Sequence, residues 1–299
     1  MNTGQARFEF LLFAQHGWAD TGRDMAKLAN TLTNTNTRAI VPSLNWWQTS
    51  IRIKPLIAAV ETIAARNIKV YPQTPIKIIG HSMGGLIWLE VLNLHPEWWH
   101  LVHSLVVIGS PISGADLARR IDPFGIGIAI AGDLGRNRRQ LAETIARKIP
   151  TLSIVSDLGM GHDGMVTIES SKFAYSKLVL LSDIGHAALK WHPAVVPVIK
   201  EFWANPQISP PPADNLVTKL IQRLQLVPGM TDASYQDFHK SQVVISFPHK
   251  ITLRTWKNLL GVNHIYVAEG EKCLYAGYVG WMETSLLSQT IEQLKQEFA

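Results

Sequence analysis

KIIGHSMGGLIWLEVL, Lys77 to Leu92, passes from a short apolar run through a glycine-flanked serine into a segment of helical composition. A serine hydroxyl is a weak nucleophile until a base takes its proton and its position exposes it to substrate. A sharp strand-to-helix turn provides the exposure but crowds the backbone. Small residues two positions before and two after relieve that crowding, hence Gly-x-Ser-x-Gly. Here Gly80-His81-Ser82-Met83-Gly84 follows the apolar run Ile76–Ile79 and opens a predicted helix over Met83–Leu94. Ser82 is therefore the candidate nucleophile. The rival reading is a helix N-cap serine flanked by helpful glycines, and the order strand, turn, helix weighs against it.

Outward from this turn, short apolar runs alternate with amphipathic segments, the pattern of a mainly parallel sheet covered by helices. Strands are predicted at Phe8–Ala14, Arg38–Val41, Ile76–Ile79, LVHSLVVIGS, TLSIVS and KLVLLS, with helices at Asp24–Leu32, Ile51–Arg66 and Pro193–Trp203. The fold class is α/β, with a first unit over residues 1–205. Pro210 to Pro212 mark a stiff linker, residues 206–213. Beyond it, residues 214–299 read as a small α+β unit: a helix over Asn215–Leu226, four strands between Val243 and Val279, and a closing amphipathic helix. Residues 121–148 interrupt the alternation and read as a lid or cap, with a buried crossover helix as the alternative. Within them Gly125-x-Gly127 lacks the preceding strand that a dinucleotide loop needs. The trio Arg136, Arg138 and Arg139 reads as a solvated basic face.

The first strand ends in Gln15-His16-Gly17-Trp18. A glycine there lets the chain turn so that amide N–H groups face a developing oxyanion. The donors expected are the backbone amides of Trp18 and Met83, with His16, Gly17, Gly80 and Gly84 as supporting positions. The base must be a histidine near the carboxyl ends of the strands. Among eleven histidines, His186 stands out, in the loop DIGHAALKW after KLVLLS. In the order serine, acid, histidine, two acids after TLSIVS qualify. Asp163, in the glycine-flanked GHDGMV, is preferred, and Asp157 is the runner-up because it could equally cap its own loop. Asp183 lies too close to His186. His100-x-x-His103 lacks a third ligand, so no metal site is assigned.

Together Ser82 in GHSMGG, His16-Gly17 after the first strand, Asp163 in DGMV and His186 in GH resemble the α/β-hydrolase superfamily, and within it the small bacterial serine lipases and esterases. VIGSPISGADLA is similar to a lipase pattern in which Thr-Pro-His-x-Gly follows the next strand, with Ser110 and Ile112-Ser113 replacing the usual residues. The resemblance covers about Phe8 to Trp203. It implies a cofactor-independent hydrolase of carboxyl esters that works through an acyl-enzyme. A hydrophobic or lipid ester is favoured by the apolar FGIGIAIAG. An acyltransferase or thioesterase is the alternative, and a non-catalytic binding protein on a hydrolase fold is the rival of another class.

Composition sets the outer limits. The 299 residues are 46% hydrophobic and 17% charged, enough for a sizeable core. A formal charge of +5 permits contact with anionic lipid surfaces but does not point to nucleic acid. The single cysteine, Cys273, excludes an intramolecular disulfide and suits a reducing compartment. The amino-terminal layout is not that of a signal peptide, and no apolar run reaches the ~18 residues of a membrane span. A cytoplasmic protein, peripheral to membranes at most, is the expectation, and the oligomeric state stays open.

Overall fold

The computed structural model describes residues 8–18, 20–44, 52–114 and 133–299. Six strands form one parallel sheet: β1 (Phe10–Gln15), β2 (Thr37–Ile40), β3 (Ile76–His81), β4 (Val102–Ile108), β5 (Thr151–Asp157) and β6 (Ser176–Ser182), in the order β2-β1-β3-β4-β5-β6. Parallel neighbours require crossovers. Among the described residues these include α1 (Gly22–Leu32), α2 (Ile53–Val70), α3 (Met83–Leu94) and α4 (Arg139–Ala146).

Successive strand residues face opposite sides of a sheet, and the core divides accordingly. Leu11, Phe13, Ile76, Ile78, Leu105 and Val107 pack with α2, α3 and α4. Leu12, Ala14, Ile79, Val106, Ile108 and Ile154 pack on the other side, with α1 and α6 (Val195–Ala204). Between β6 and α6 lies a short helix, α5 (His186–Leu189). The sheet is thus covered on both faces, and its strands all point their carboxyl ends the same way. That common edge is where ligands bind in open α/β sheets.

A second, antiparallel sheet lies in the carboxyl-terminal part. It comprises β7 (Thr231–Asp232), β8 (Gln242–Ser246), β9 (Ile251–Lys257), β10 (Asn263–Glu269) and β11 (Lys272–Val279), in the order β7-β11-β10-β9-β8. Helices α7 (Leu216–Gln225) and α8 (Thr284–Phe298) contribute to a separate apolar cluster against it, with Leu220, Leu224, Leu253, Val267, Leu287 and Leu294 at its centre.

The two sheets' units meet through buried polar groups. The Asp232 carboxylate accepts from Ser113 Oγ at 2.5 Å, from Tyr275 Oη at 2.8 Å and from Arg139 Nη2. Arg138, in turn, donates to Glu90 at 2.8 Å. Only 4% of Arg138 and 7% of Arg139 is exposed. The reading of the arginine trio as a solvated face is therefore corrected for these two, because each has found a carboxylate; Arg136 alone is exposed. Of the expected lid, residues 121–132 and Gly125-x-Gly127 lie outside the described residues, and the remainder carries α4.

Candidate active site

Ser82 sits between the end of β3 and the start of α3 with φ 54° and ψ −126°. This is left-handed territory that a residue with a Cβ enters only under constraint from its surroundings. The constraint is visible. A Cβ at Gly80 would lie 2.4 Å from the backbone nitrogen of Gly85, and one at Gly84 only 2.3 Å from the carbonyl oxygen of Gln15. Glycine at both positions is what lets strand, turn and helix close so tightly. The Ser82 N–H bonds to the carbonyl of Ile108 at 2.8 Å, tying the turn to the next strand.

His186 opens α5 just beyond β6. Its Nε2 lies 3.0 Å from Ser82 Oγ, and its Nδ1 lies 2.7 Å from Asp163 Oδ2. An ionised carboxylate can only accept, so Nδ1 carries the proton and Nε2 presents a lone pair to the serine hydroxyl. Asp163 is 2% exposed. Its other oxygen accepts the N–H groups of Met165 at 3.0 Å and Val166 at 2.8 Å, which fixes the carboxylate. The main chains are joined as well, by the His186 N–H to the Asp163 carbonyl at 2.9 Å.

Asp157 stands elsewhere. Its Oδ1 accepts the N–H groups of Gly159, Met160 and Gly161 at 2.8, 2.9 and 2.8 Å, and its Oδ2 accepts from Tyr235 Oη at 3.1 Å. Although desolvation opposes ionisation, these bonds hold its carboxyl below the usual range. Asp157 shapes the loop that carries Asp163 and does not reach the histidine.

The chain at the end of β1 also comes up to Ser82: a Cβ at Gly17 would lie 2.7 Å from Ser82 Cβ and 3.3 Å from Oγ. Only glycine allows the chain before Trp18 to approach so closely. His16 anchors this turn: Leu44 N–H donates to its Nε2 at 2.9 Å, and its Nδ1–H donates to the Gly17 carbonyl at 3.0 Å. Burial pushes the His16 imidazole below its ordinary pKa, as this neutral tautomer requires. Met83 is the first residue of α3, so its N–H belongs to the first turn, whose donors have no intrahelical partner. The helix N-terminus adds a positive partial charge there.

Two supporting residues carried no signal in the sequence reading. His81 is buried, and its Nε2–H donates to the carbonyl of His186 at 3.0 Å while the two rings lie 4.9 Å apart. Burial first, then the neighbouring His186, pushes its pKa well down. Lys190, at the end of α5, reaches Asp20 at 2.6 Å and so ties the turn after Trp18 to the segment bearing His186. In the sequence His81 is only a member of the serine turn, and nothing marks Lys190, because its partner is 170 residues distant. Among the described residues, no group of three or more His, Cys, Asp or Glu is placed to hold a metal ion.

A model of the PGAP1-like alpha/beta domain matches residues 52–179. No curated protein sequence matches the chain. Among solved structures, the chain is similar to the lipase BlEst2 of Bacillus licheniformis. In its mature form, identity is 13% and the TM-score 0.50, over 68% of this chain and 95% of that one. In its propeptide form, identity is 12% and the TM-score 0.53, over 94% of this chain and 70% of that one. Lipase B of Aspergillus fumigatus is also similar, with 12% identity and a TM-score of 0.51, over 71% of this chain and 57% of that one. These likenesses show the fold alone: a six-stranded parallel sheet flanked by helices, like that of α/β hydrolases, with a second, antiparallel sheet in the carboxyl-terminal part.

Proposed function

We propose that the protein is a serine ester hydrolase that cleaves hydrophobic or lipid carboxyl esters through an acyl-enzyme. The observation that carries this reading is the unbroken line from Asp163 through His186 to Ser82, at 2.7 and 3.0 Å, with the serine on a strained strand-to-helix turn. In this scheme His186 Nε2 takes the hydroxyl proton as Ser82 Oγ attacks the carbonyl carbon. Asp163 holds the imidazole tautomer and stabilises the imidazolium that forms. The Trp18 and Met83 amides receive the oxyanion, each donor contributing roughly 2.7–4 kcal/mol to the transition state. His186 then gives its proton to the departing alkoxide. Water, deprotonated by the same nitrogen, attacks the acyl-enzyme and releases the acid with Ser82 restored.

The preference for an apolar acyl chain is supported by FGIGIAIAG in the sequence and by the lipases among the structural likenesses. A panel of esters graded in acyl length, run on wild type and Ser82→Ala, tests it. Turnover that rises with acyl length and vanishes in the variant supports the reading. Turnover that persists in the variant contradicts it.

The Bacillus likeness favours a second reading, for the carboxyl-terminal unit. The mature form is matched over 95% of its length yet covers only 68% of this chain, whereas the propeptide form covers 94%. The added match therefore falls on residues absent from the mature lipase. On this reading residues 214–299 correspond to a removable segment, joined through 206–213, a stretch largely exposed and without helix or strand. Limited proteolysis that cuts there and raises ester turnover would support it; cleavage that abolishes turnover would count against it.

A further inference from the structure

The carboxyl-terminal unit has an apolar end that its fold does not use. The β9–β10 connection holds Leu259, fully exposed, and Leu260, 73% exposed; the β11–α8 connection holds Trp281 at 60% and Met282 at 89%. Lys257 pairs with Asn263, and Asn263 with Val279, so both connections leave the sheet at the same end. They are joined there by a hydrogen bond from Trp281 Nε1 to the Leu260 carbonyl at 2.9 Å. Single exposed apolar side chains are ordinary, but four of them gathered at projecting loop tips mark a contact surface.

The polar groups of the loop point to the kind of contact. Asn258 Oδ1 accepts the N–H groups of both Leu260 and Val262 at 3.0 Å. Gly261 N–H bonds to the Asn258 carbonyl at 2.9 Å, and Asn258 N–H to the Val262 carbonyl at 3.1 Å. The Trp281 indole N–H is satisfied by Leu260. Four backbone N–H groups of the loop, those of Asn258, Leu260, Gly261 and Val262, are thus paired within it, which lowers the cost of leaving water for hydrocarbon. Lys257 adds the matching charge: its Cε and Trp281 Nε1 both flank Gly261, within 3.6 and 3.5 Å of where a Cβ would stand. Lys257 is exposed and forms no ion pair among the described residues.

We propose that this end of the unit is a membrane-docking tip, with Leu259, Leu260, Trp281 and Met282 entering the headgroup–acyl boundary of a phospholipid bilayer and Lys257 meeting anionic headgroups. Tryptophan favours that boundary, and a lysine keeps its ammonium at the phosphate level while its stem lies along apolar surface. The choice of lipid over a protein partner rests in part on the lipid-ester reading, since docking would bring the hydrolase to its substrate. The tip itself is independent of Ser82.

The test is flotation of the full chain with phosphatidylcholine vesicles, with and without phosphatidylglycerol. Wild type is expected to float with the vesicles. The double variant Leu259→Asp, Leu260→Asp should lower the bound fraction at least about tenfold while keeping its melting temperature and its turnover of a water-soluble ester. Lys257→Glu should weaken binding only where phosphatidylglycerol is present. A Leu259→Cys variant labelled with the polarity-sensitive dye NBD should shift to the blue on binding. Labelling should favour that position, because burial pushes the thiol of Cys273 up to about 12. Wild type left unbound, a double variant that floats equally well, or a dye that stays in water while the protein floats would each overturn the proposal. Dimers that form through the tip without flotation would overturn it in favour of a second copy. If Ser82→Ala floats and the wild type turns over no ester, the hydrolase reading fails and the tip stands.

Discussion

The Nε2–H of His81 donates to the backbone carbonyl of His186 across 3.0 Å. The residue beside the candidate nucleophile thus holds the main chain of the candidate base, whose N–H is held by the Asp163 carbonyl. Misplacing a reacting group by about 1 Å can cost ~10²-fold in rate. His81→Phe, which keeps a ring but loses the donor, is expected to lower kcat by up to about that factor with KM little changed. Steady-state kinetics on one soluble ester checks this, and His81→Gln, which retains a donor, should recover part of the loss.

Asp163 and Asp157 separate cleanly by substitution. Asp163→Asn removes the carboxylate bonded to His186 Nδ1 and, on the proposed mechanism, should lower kcat by about 10⁴, the loss known for a serine triad. Asp157→Asn alters a loop contact and should leave kcat within roughly tenfold of wild type. Reversed magnitudes would move the acid's role to Asp157.

Asp232 is 2% exposed and pairs with Arg139, itself 7% exposed, across the two units. Asp232→Ala would leave a buried guanidinium without its carboxylate, a loss of about 3–5 kcal/mol for a buried pair. Denaturant unfolding should show that loss. Lys219→Ala, at an exposed ion pair with Asp214, should change stability by less than about 1 kcal/mol.

His16 and His81 set a direction for stability against pH. Burial lowers the pKa of both in the fold, so below about 6.5, the ordinary imidazole value, the unfolded chain binds more protons than the folded one. Stability should be full above that value and fall as pH drops, by up to about 1.4 kcal/mol per pH unit for each histidine. Urea midpoints between neutral and mildly acid pH measure this slope. His81→Gln should flatten it if the fold is retained.

Much of this was legible in the residues, for physical reasons. Gly80, Ser82 and Gly84 encode a turn that only small neighbours permit, and β3 leads into it. The strand ends bring Asp163 and His186 into the range of Ser82 because parallel strands share one carboxyl edge. Where the reading stopped short, the deciding contacts lay far away in the chain. β3 runs on to His81 because that residue still pairs with Ile108. α2 extends to Val70, and Ile68 in its last turn packs against the buried cluster on that side of the sheet. β7 is two residues long and has no alternation to detect. Arg138 and Arg139 looked like solvated charge because Glu90 and Asp232 lie 48 and 93 residues away.

The central claim is that Ser82 is the nucleophile, activated by His186 and Asp163. Incubating the folded chain with a fluorophosphonate probe and mapping the adduct by mass spectrometry tests it most directly. The account predicts a single adduct on Ser82, absent from Ser82→Ala and slowed by orders of magnitude in Asp163→Asn. A folded wild-type protein that leaves Ser82 unlabelled, or that labels equally well after Ser82→Ala, would contradict it.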